Sequence, residues 1–356
     1  MEQRINTSGR LLKIFLIFVV CVMLPRYNLF AEEVPIRIGW QTSWATQGQI
    51  AVILKKTDIL KNNGLIGRFR GFSYGGPLNE GALSGAVDVI FTADQPACML
   101  LAKGAKWKII GRLIYNRVAT VVPYKSDIKS IVGLKGKTIG IPFGAAAHRE
   151  TLRALKEAGF DFHQDVDIKN IGIYEAMNVI QAGDEREWGD FAAFSTWDPP
   201  LAELEYMKKA KALDYGLVTS VIVMSEDFLN KYPDAAVKFL KAYIIAFYYY
   251  AHHQKEANMW FKKESKLNFD LGVLDLAASV EPNLKVKTLD EVDISLSVED
   301  IAVIQSGADF IYDQKITDQQ IKDIRAYIDM SFLQAAIEEL STIDDDYLSK
   351  IRIWSE

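Results

Sequence analysis

The sequence predicts an α/β protein made of two packed units, each with a mostly parallel sheet. Three observations carry that expectation. Short β-rich runs alternate with helical stretches, the pattern of βαβ units. The alternation starts at Val34 and restarts near residue 119. The chain has 356 residues, 49% of them apolar and 24% charged, which suffices for two cores. No Gly/Ser/Pro-rich joint and no fixed-period repeat separates the units, so short crossovers are expected to link them.

In chain order, "IRIGW" (36–40) reads as a strand, followed by the polar loop "QTSWATQGQ" and a helix over 50–62. "GRFRGFSY" (67–74) is a second strand. "GPLNEGALSG" is a short helix with Pro77 in its first turn and Gly85 at its end. "AVDVIFTADQ" (86–95) is apolar enough for the middle of a sheet. A helix through "PACMLLAKG" and a strand "KWKIIGRLI" close the first unit. In the second, "ATVVPYK" is a strand or crossover, "KGKTIGIP" a strand, and 147–158 a helix stopped by Gly159. "VDIKNIGIY" and "DFAAFST" read as strands, and "GLVTSVIVM" follows near Leu217. Beyond it the chain is nearly all helix: a long amphipathic element over 230–254 with Pro233 near its start, then "DLAASV", 297–314 and 317–340.

The amino terminus is of another kind. Arg4, Arg10 and Lys13 precede an apolar run over 14–24, then Pro25 and the small residue Ala31. A basic stretch, a short apolar run and a small-residue exit predict a cleavable signal peptide over 1–31 and an exported, periplasmic protein. The run is too short for a bilayer, which takes about 20 residues. Cleavage leaves Cys98 as the only cysteine, so the fold cannot rest on an internal disulfide. It also moves the net charge from −5 to −8, because the segment holds four basic residues and one acid. Such acidity, with no basic block, argues against nucleic acid as a partner.

No catalytic set is legible. "GLKGKT" imitates a phosphate loop, but Ile131 stands where the motif needs glycine, and a strand follows it in place of a helix. The histidines lack a metal-binding i, i+4 pair, no serine sits in a G-x-S-x-G elbow, and Cys98 lies in an apolar helix. No metal and no cofactor are expected.

The strand exits are more informative. In "KTIGIPFGAAAHRETLRAL", a strand turns into a helix through Gly144, Ala145, Ala146 and Ala147, almost bare backbone. Free N–H groups and the helix dipole suit a ligand there, with His148 as an added donor. A tight turn with no ligand satisfies the same residues. Three more strand exits carry polar or aromatic side chains: Gln41, Thr42, Ser43 and Trp44; Thr92, Asp94 and Gln95; and Thr196, Trp197 and Asp198. In open α/β sheets that edge is where ligands bind.

Taken in order, "GGPLNEGALSGAVDVIFTADQPACMLLAKG", "LKGKTIGIPFGAAAHRETLRALKEAG", "FAAFSTWDPPLAELE" and "VIVMSEDFLNKYPDAAVKFLKAY" resemble the periplasmic substrate-binding proteins of ABC importers. The resemblance is to the nitrate, sulfonate, taurine and thiamine-precursor branch. It implies a two-lobed type II periplasmic-binding-protein fold with a ligand cleft between lobes at 32–120 plus 218–356 and at 121–217. It implies a small-molecule ligand held by the loop from Gln41 to Gln47, by Asp94, Gln95, Gly144 and the residues to His148, and by Trp197 and Asp198. It further implies a monomer that delivers to a permease in the inner membrane, with no chemistry of its own.

Many relatives carry hydroxyl residues where this chain has Ala145, Ala146 and Ala147. The expected ligand is a small organic or inorganic solute, sulfonate, nitrate or thiamine-precursor-like. The aromatic residues Trp40, Trp44, Tyr74, Phe143 and Trp197 suit a flat or organic one, and carboxylates at Asp94 and Asp198 favour a cationic group on it. Two other functional classes are weighed: a thiamine-pyrimidine-synthase-like enzyme, whose cysteine-rich iron motif is missing, and the ligand-sensing module of a signalling system.

Overall fold

A computed structural model describes residues 33–265, 268–341 and 347–354. The leader expected over 1–31 and the acidic run at 344–346 lie outside the described residues. Eight strands form one sheet: β1 Val34–Gln41, β2 Leu65–Phe72, β3 Val89–Ala93, β4 Trp107–Pro123, β5 Thr138–Ile141, β6 Asp167–Asn170, β7 Ala193–Trp197 and β8 Ala210–Ser225. Their order is β2-β1-β3-β8-β4-β7-β5-β6. β1 is parallel to β2 and β3, and β5 is parallel to β6 and β7. These two parallel trios come from βαβ crossovers through helices.

Between the trios run β4 and β8, antiparallel to each other and paired from Trp107 with Ser225 to Pro123 with Ala210. The sequence reads β4 as two elements because Tyr115, Asn116 and Arg117 interrupt its apolar pattern. The structure threads all 17 residues through one strand, with register shifts at Ile109/Gly111, Arg112/Tyr115 and Thr120/Val121. Bulges of this kind bend and twist a long ladder without ending it.

The first trio is covered by the long helix Pro233–His252. It is expected to be amphipathic, yet between Ala235 and Tyr250 most of its side chains are buried. A helix apolar on most of its faces belongs inside a core. Tyr243 meets Phe91 of β3 edge-on at 5.4 Å and donates its hydroxyl to Leu113 O at 2.8 Å. The last described residues return to this half: Thr57 bridges Ile353, and Trp354 N–H donates to Lys56 O at 2.7 Å.

Four other expectations change. The helix over 50–62 is two helices, Gln47–Lys56 and Ile59–Asn62, because Asp58 N–H donates to Arg352 O in place of its own helix. The strand over 86–95 ends at Ala93, and Asp94 opens the helix Asp94–Ala102. Residues 173 and 174, taken as strand, begin the helix Ile173–Ala182. The helix over 317–340 reduces to a 3₁₀ turn Ile324–Tyr327 and the helix Ser331–Leu340, since Asp323 caps a separate turn by accepting from Arg325 N–H. Among the described residues no helix is long and apolar enough to cross a membrane.

Candidate ligand-binding cleft

The register of the central strands assembles one wall of a cavity. Asn116 lies opposite Val218, Val118 opposite Trp197, and Ala93 opposite Ser220. Residues opposite each other in a ladder share a face, as do residues two apart along a strand. Ala93, Val218, Asn116, Val118 and Trp197 therefore stand side by side across β3, β8, β4 and β7. They line a cavity together with Gln41, Trp44, Tyr74, Gly75, Pro96 and Ala145 to Ala147.

None of these lining residues is charged, but the backbone around them is polarised. Tyr74, Ala93 and Ala145 are the N-caps of the helices Gly75–Leu83, Asp94–Ala102 and Ala146–Glu157. None of the three supplies a side-chain cap. Three positive helix ends thus face one cavity, but at the helix Asp94–Ala102 the Asp94 Oδ1 already takes Gln95 N–H at 2.6 Å, and Pro96 brings no N–H. At the helix Ala146–Glu157, Ala145 N–H donates to Pro142 O, and among the described residues no acceptor takes the N–H groups of Ala146 or Ala147. The turn depends on Gly144, whose φ of 82° lies in the left-handed region. Gly144 N–H reaches His148 Nδ1 at 3.5 Å, and Phe143 stacks on that ring at 4.7 Å. Burial drives the His148 pKa down to about 4, so the ring stays neutral and Nδ1 stays an acceptor. Among the lining residues, Trp44 Nε1 is buried with no acceptor, a costly state for an indole donor.

Of the residues singled out from sequence, Gln41, Trp44, Ala145, Ala146, Ala147 and Trp197 line the cavity. The others stand behind it or beside it. Ser43 donates to Ser73 O at 2.6 Å, and Gln47 Nε2 donates to Gln41 O and Trp44 O, both at 2.6 Å, holding the loop. Thr42 bonds Phe72 O and the Tyr174 hydroxyl, each at 3.2 Å, which joins the β1 loop to the helix Ile173–Ala182. Gly144 and His148 shape the turn. Thr196 is buried with no partner for its hydroxyl.

The acids do not meet the cavity either. Asp94 pairs with Arg149 at 2.7 Å, both almost fully buried. Burial pushes the Asp94 carboxyl above its ordinary range, against the pull of Arg149. Asp198 takes Arg117 bidentately at 2.7 and 3.0 Å and Ala202 N–H at 3.1 Å, and burial pushes it up to about 7 against the pull of Arg117. Each carboxylate is already held by an arginine, so neither offers a free charge to a cationic ligand. Gln95, beside Asp94, is fully buried with neither amide atom bonded.

Sequence reasoning missed Gly75, Ala93, Pro96, Asn116, Val118 and Val218 as lining residues, and noted Tyr74 only as an aromatic. Most carry no functional signal by type; the register alone brings them in. Cys98 is fully buried with its thiol donating to Ile304 O at 3.3 Å, and burial pushes its pKa up, the opposite of an activated nucleophile. Among the described residues no three His, Cys, Asp or Glu side chains are placed to hold a metal ion.

Residues 78–257 match the family described as NMT1/THI5 like. A protein of Bacillus subtilis (strain 168), named for binding aliphatic sulfonates, is 28% identical over 81% of this chain and 83% of its own length. The alkanesulfonate-binding protein SsuA of Xanthomonas axonopodis pv. citri, solved with MOPS bound, superposes with a TM-score of 0.67 at 20% identity, over 84% of this chain and 99% of that one. The desulfurization enzyme DSZB superposes with a TM-score of 0.64 at 12% identity, over 86% and 99% of the two chains. At such identities the structural likeness shows the fold, that of periplasmic binding proteins, which binding proteins and an enzyme share.

Proposed function

We propose, from the premise that this chain belongs to the NMT1/THI5-like family, that it is the exported solute-binding component of an ABC importer and takes a small organic anion of the sulfonate class. The observation that carries the reading is the convergence of three helix N-termini, the free N–H groups of Ala146 and Ala147 among them, on one cavity with no charged side chain. Such termini stabilise negative charge without a cation. The hydroxyls missing at Ala145 to Ala147 are replaced by the backbone N–H groups of Ala146 and Ala147. Trp44, Tyr74 and Trp197 give the anion's body an aromatic wall. Nitrate leaves that wall unused, and a cationic thiamine precursor would bury its charge with no free carboxylate beside it.

The two halves of the sheet act as lobes, about 32–120 with 218–356 and 121–217, and close on the ligand. Thr42–Tyr174 is a contact of the closed form, while the buried Asp94–Arg149 pair persists in both forms. The closed protein, acting as a monomer after loss of its signal peptide, delivers the ligand to an inner-membrane permease.

The test is a thermal-shift screen followed by calorimetry, with alkyl and aryl sulfonates, taurine, nitrate, thiamine and its pyrimidine precursors. A ligand at a hundredfold excess over its Kd adds about 2.7 kcal/mol of stability, a readable shift. Binding of nitrate or a pyrimidine in preference to every sulfonate would refute the assigned class. Turnover of any bound compound would refute the binding-protein reading in favour of an enzyme.

A further inference from the structure

Two side-chain amides line the cavity, and each is oriented by a bond behind it. Gln41 Nε2 donates to Phe91 O at 3.1 Å, and Asn116 Nδ2 donates to Arg117 O at 3.2 Å. Only the nitrogen end of an amide can donate to a carbonyl, so these bonds fix which end turns the other way. Among the described residues no donor reaches Gln41 Oε1 or Asn116 Oδ1. Neither oxygen is sealed off as Trp44 Nε1 is, so both remain reachable at the cavity wall. The cleft therefore presents two kinds of group: N–H donors at Ala146 and Ala147, and carbonyl acceptors at Gln41 and, across β3 and β8, at Asn116.

We infer that Gln41 and Asn116 act as acceptors for the body of the ligand, which selects organic anions that carry an uncharged hydrogen-bond donor, a hydroxyl or an amide N–H. The anionic end of this ligand rests on the sulfonate reading above; the donor end rests on the two amides alone. A plain hydrocarbon body would cover both oxygens and leave them without water or partner, which disfavours its binding. An ammonium group would supply donors but would bury a charge that no carboxylate answers, since Asp94 and Asp198 are committed to Arg149 and Arg117. A hydroxyl gives one of the oxygens its donor without that penalty. Sites built to hydrogen-bond a hydroxyl discriminate strongly against the analogue that lacks it.

The test is calorimetric titration of the purified protein with matched sets: propanesulfonate, 3-hydroxypropanesulfonate and 3-aminopropanesulfonate; benzenesulfonate and 4-hydroxybenzenesulfonate; benzoate and 4-hydroxybenzoate. The expected result is that at least one hydroxylated member binds about tenfold or more tightly than its plain and ammonium counterparts. Asn116→Leu is expected to erase that preference, and Asn116→Asp to turn it toward the ammonium compound. Equal affinities within every set, or a hydroxyl preference that survives Asn116→Leu, would overturn the inference while leaving the sulfonate reading intact. A hydroxyl preference among the carboxylates with no sulfonate binding would refute the sulfonate reading and support the subsite. Failure of every compound to bind would count against both.

Discussion

Replacing Arg149 by Met tests how the two halves of the sheet are held together. Arg149 sits on the helix that follows β5, and Asp94 opens the helix that follows β3; β8, β4 and β7 lie between those strands. The pair meets at 2.7 Å with 5% and 0% of the two side chains exposed, and Glu150 adds a second bond to Arg149 at 2.9 Å. Helix packing leaves no slack, since a methyl at Gly307 would fall 2.6 Å from Arg149 Nη1. Arg149→Met keeps the length of the side chain but leaves the Asp94 carboxylate buried without its cation. Removing one member of a buried pair costs about 3–5 kcal/mol, whereas replacing both by apolar groups is often close to neutral.

Chemical denaturation should therefore show Arg149→Met about 3–5 kcal/mol less stable and Asp94→Leu/Arg149→Met far closer to wild type. Asp94 titrates above its unfolded value in the fold, so the native state holds the proton more tightly and acid favours it. The single variant's deficit should accordingly narrow as pH falls, because a protonated Asp94 carries no buried charge. A loss below about 1 kcal/mol for Arg149→Met, or a double variant as unstable as the sum of its singles, would refute the argument.

Other outcomes follow from the cleft. Trp197→Leu should weaken ligand binding about tenfold or more while the protein stays folded; unchanged affinity would remove the indole from the binding wall. Gly144→Ala places a Cβ at a φ of 82° and 3.4 Å from Met99 Sδ, so it should lower stability by about 1 kcal/mol and weaken the ligand by disturbing the amide turn. An unperturbed Kd would separate that turn from binding. His148 titrates near 4 in the fold against 6.5 as its ordinary value, so the native state binds fewer protons between those values. Its contribution is thus present above about 6.5 and lost as pH falls toward about 4, by at most about 3 kcal/mol. In His148→Gln that slope should flatten in urea titrations run across this range; an unchanged slope would assign it to other groups.

The strands were legible where burial covers both faces, as in "VIFTA" and "AFSTW", because continuous apolar runs bounded by turns leave few alternatives. The helix Ile173–Ala182 escaped notice because Ile171 and Ile173 extend the β-branched run of β6 without a break. Propensity could not locate the turn at Gly172. β4 was split for the converse reason: Asn116 and Arg117 look like a loop, yet one contributes to the cavity wall and the other pairs with Asp198. In the cleft, bare backbone and aromatic residues at strand exits were visible as a type of position. Side-chain direction was not. Asp94, Asp198 and Gln47 are polar residues at strand exits like Gln41, and only the packed structure separates those facing the cavity from those facing an arginine or a carbonyl.

The way β4, β8 and the final residues pair also sets a timetable for synthesis. When Pro123 leaves the ribosome, β4 has neither neighbour, because β7 begins at Ala193 and β8 at Ala210. The material of the second parallel trio is all made before β8 emerges to finish the ladder around it. The first trio waits longer still: Lys56, Thr57 and Asp58 find their partners only when Arg352, Ile353 and Trp354 have been added. The contacts of Lys56, Thr57 and Asp58 close only after residue 354 has emerged, and until β8 is made the nascent chain carries unpaired sheet edges.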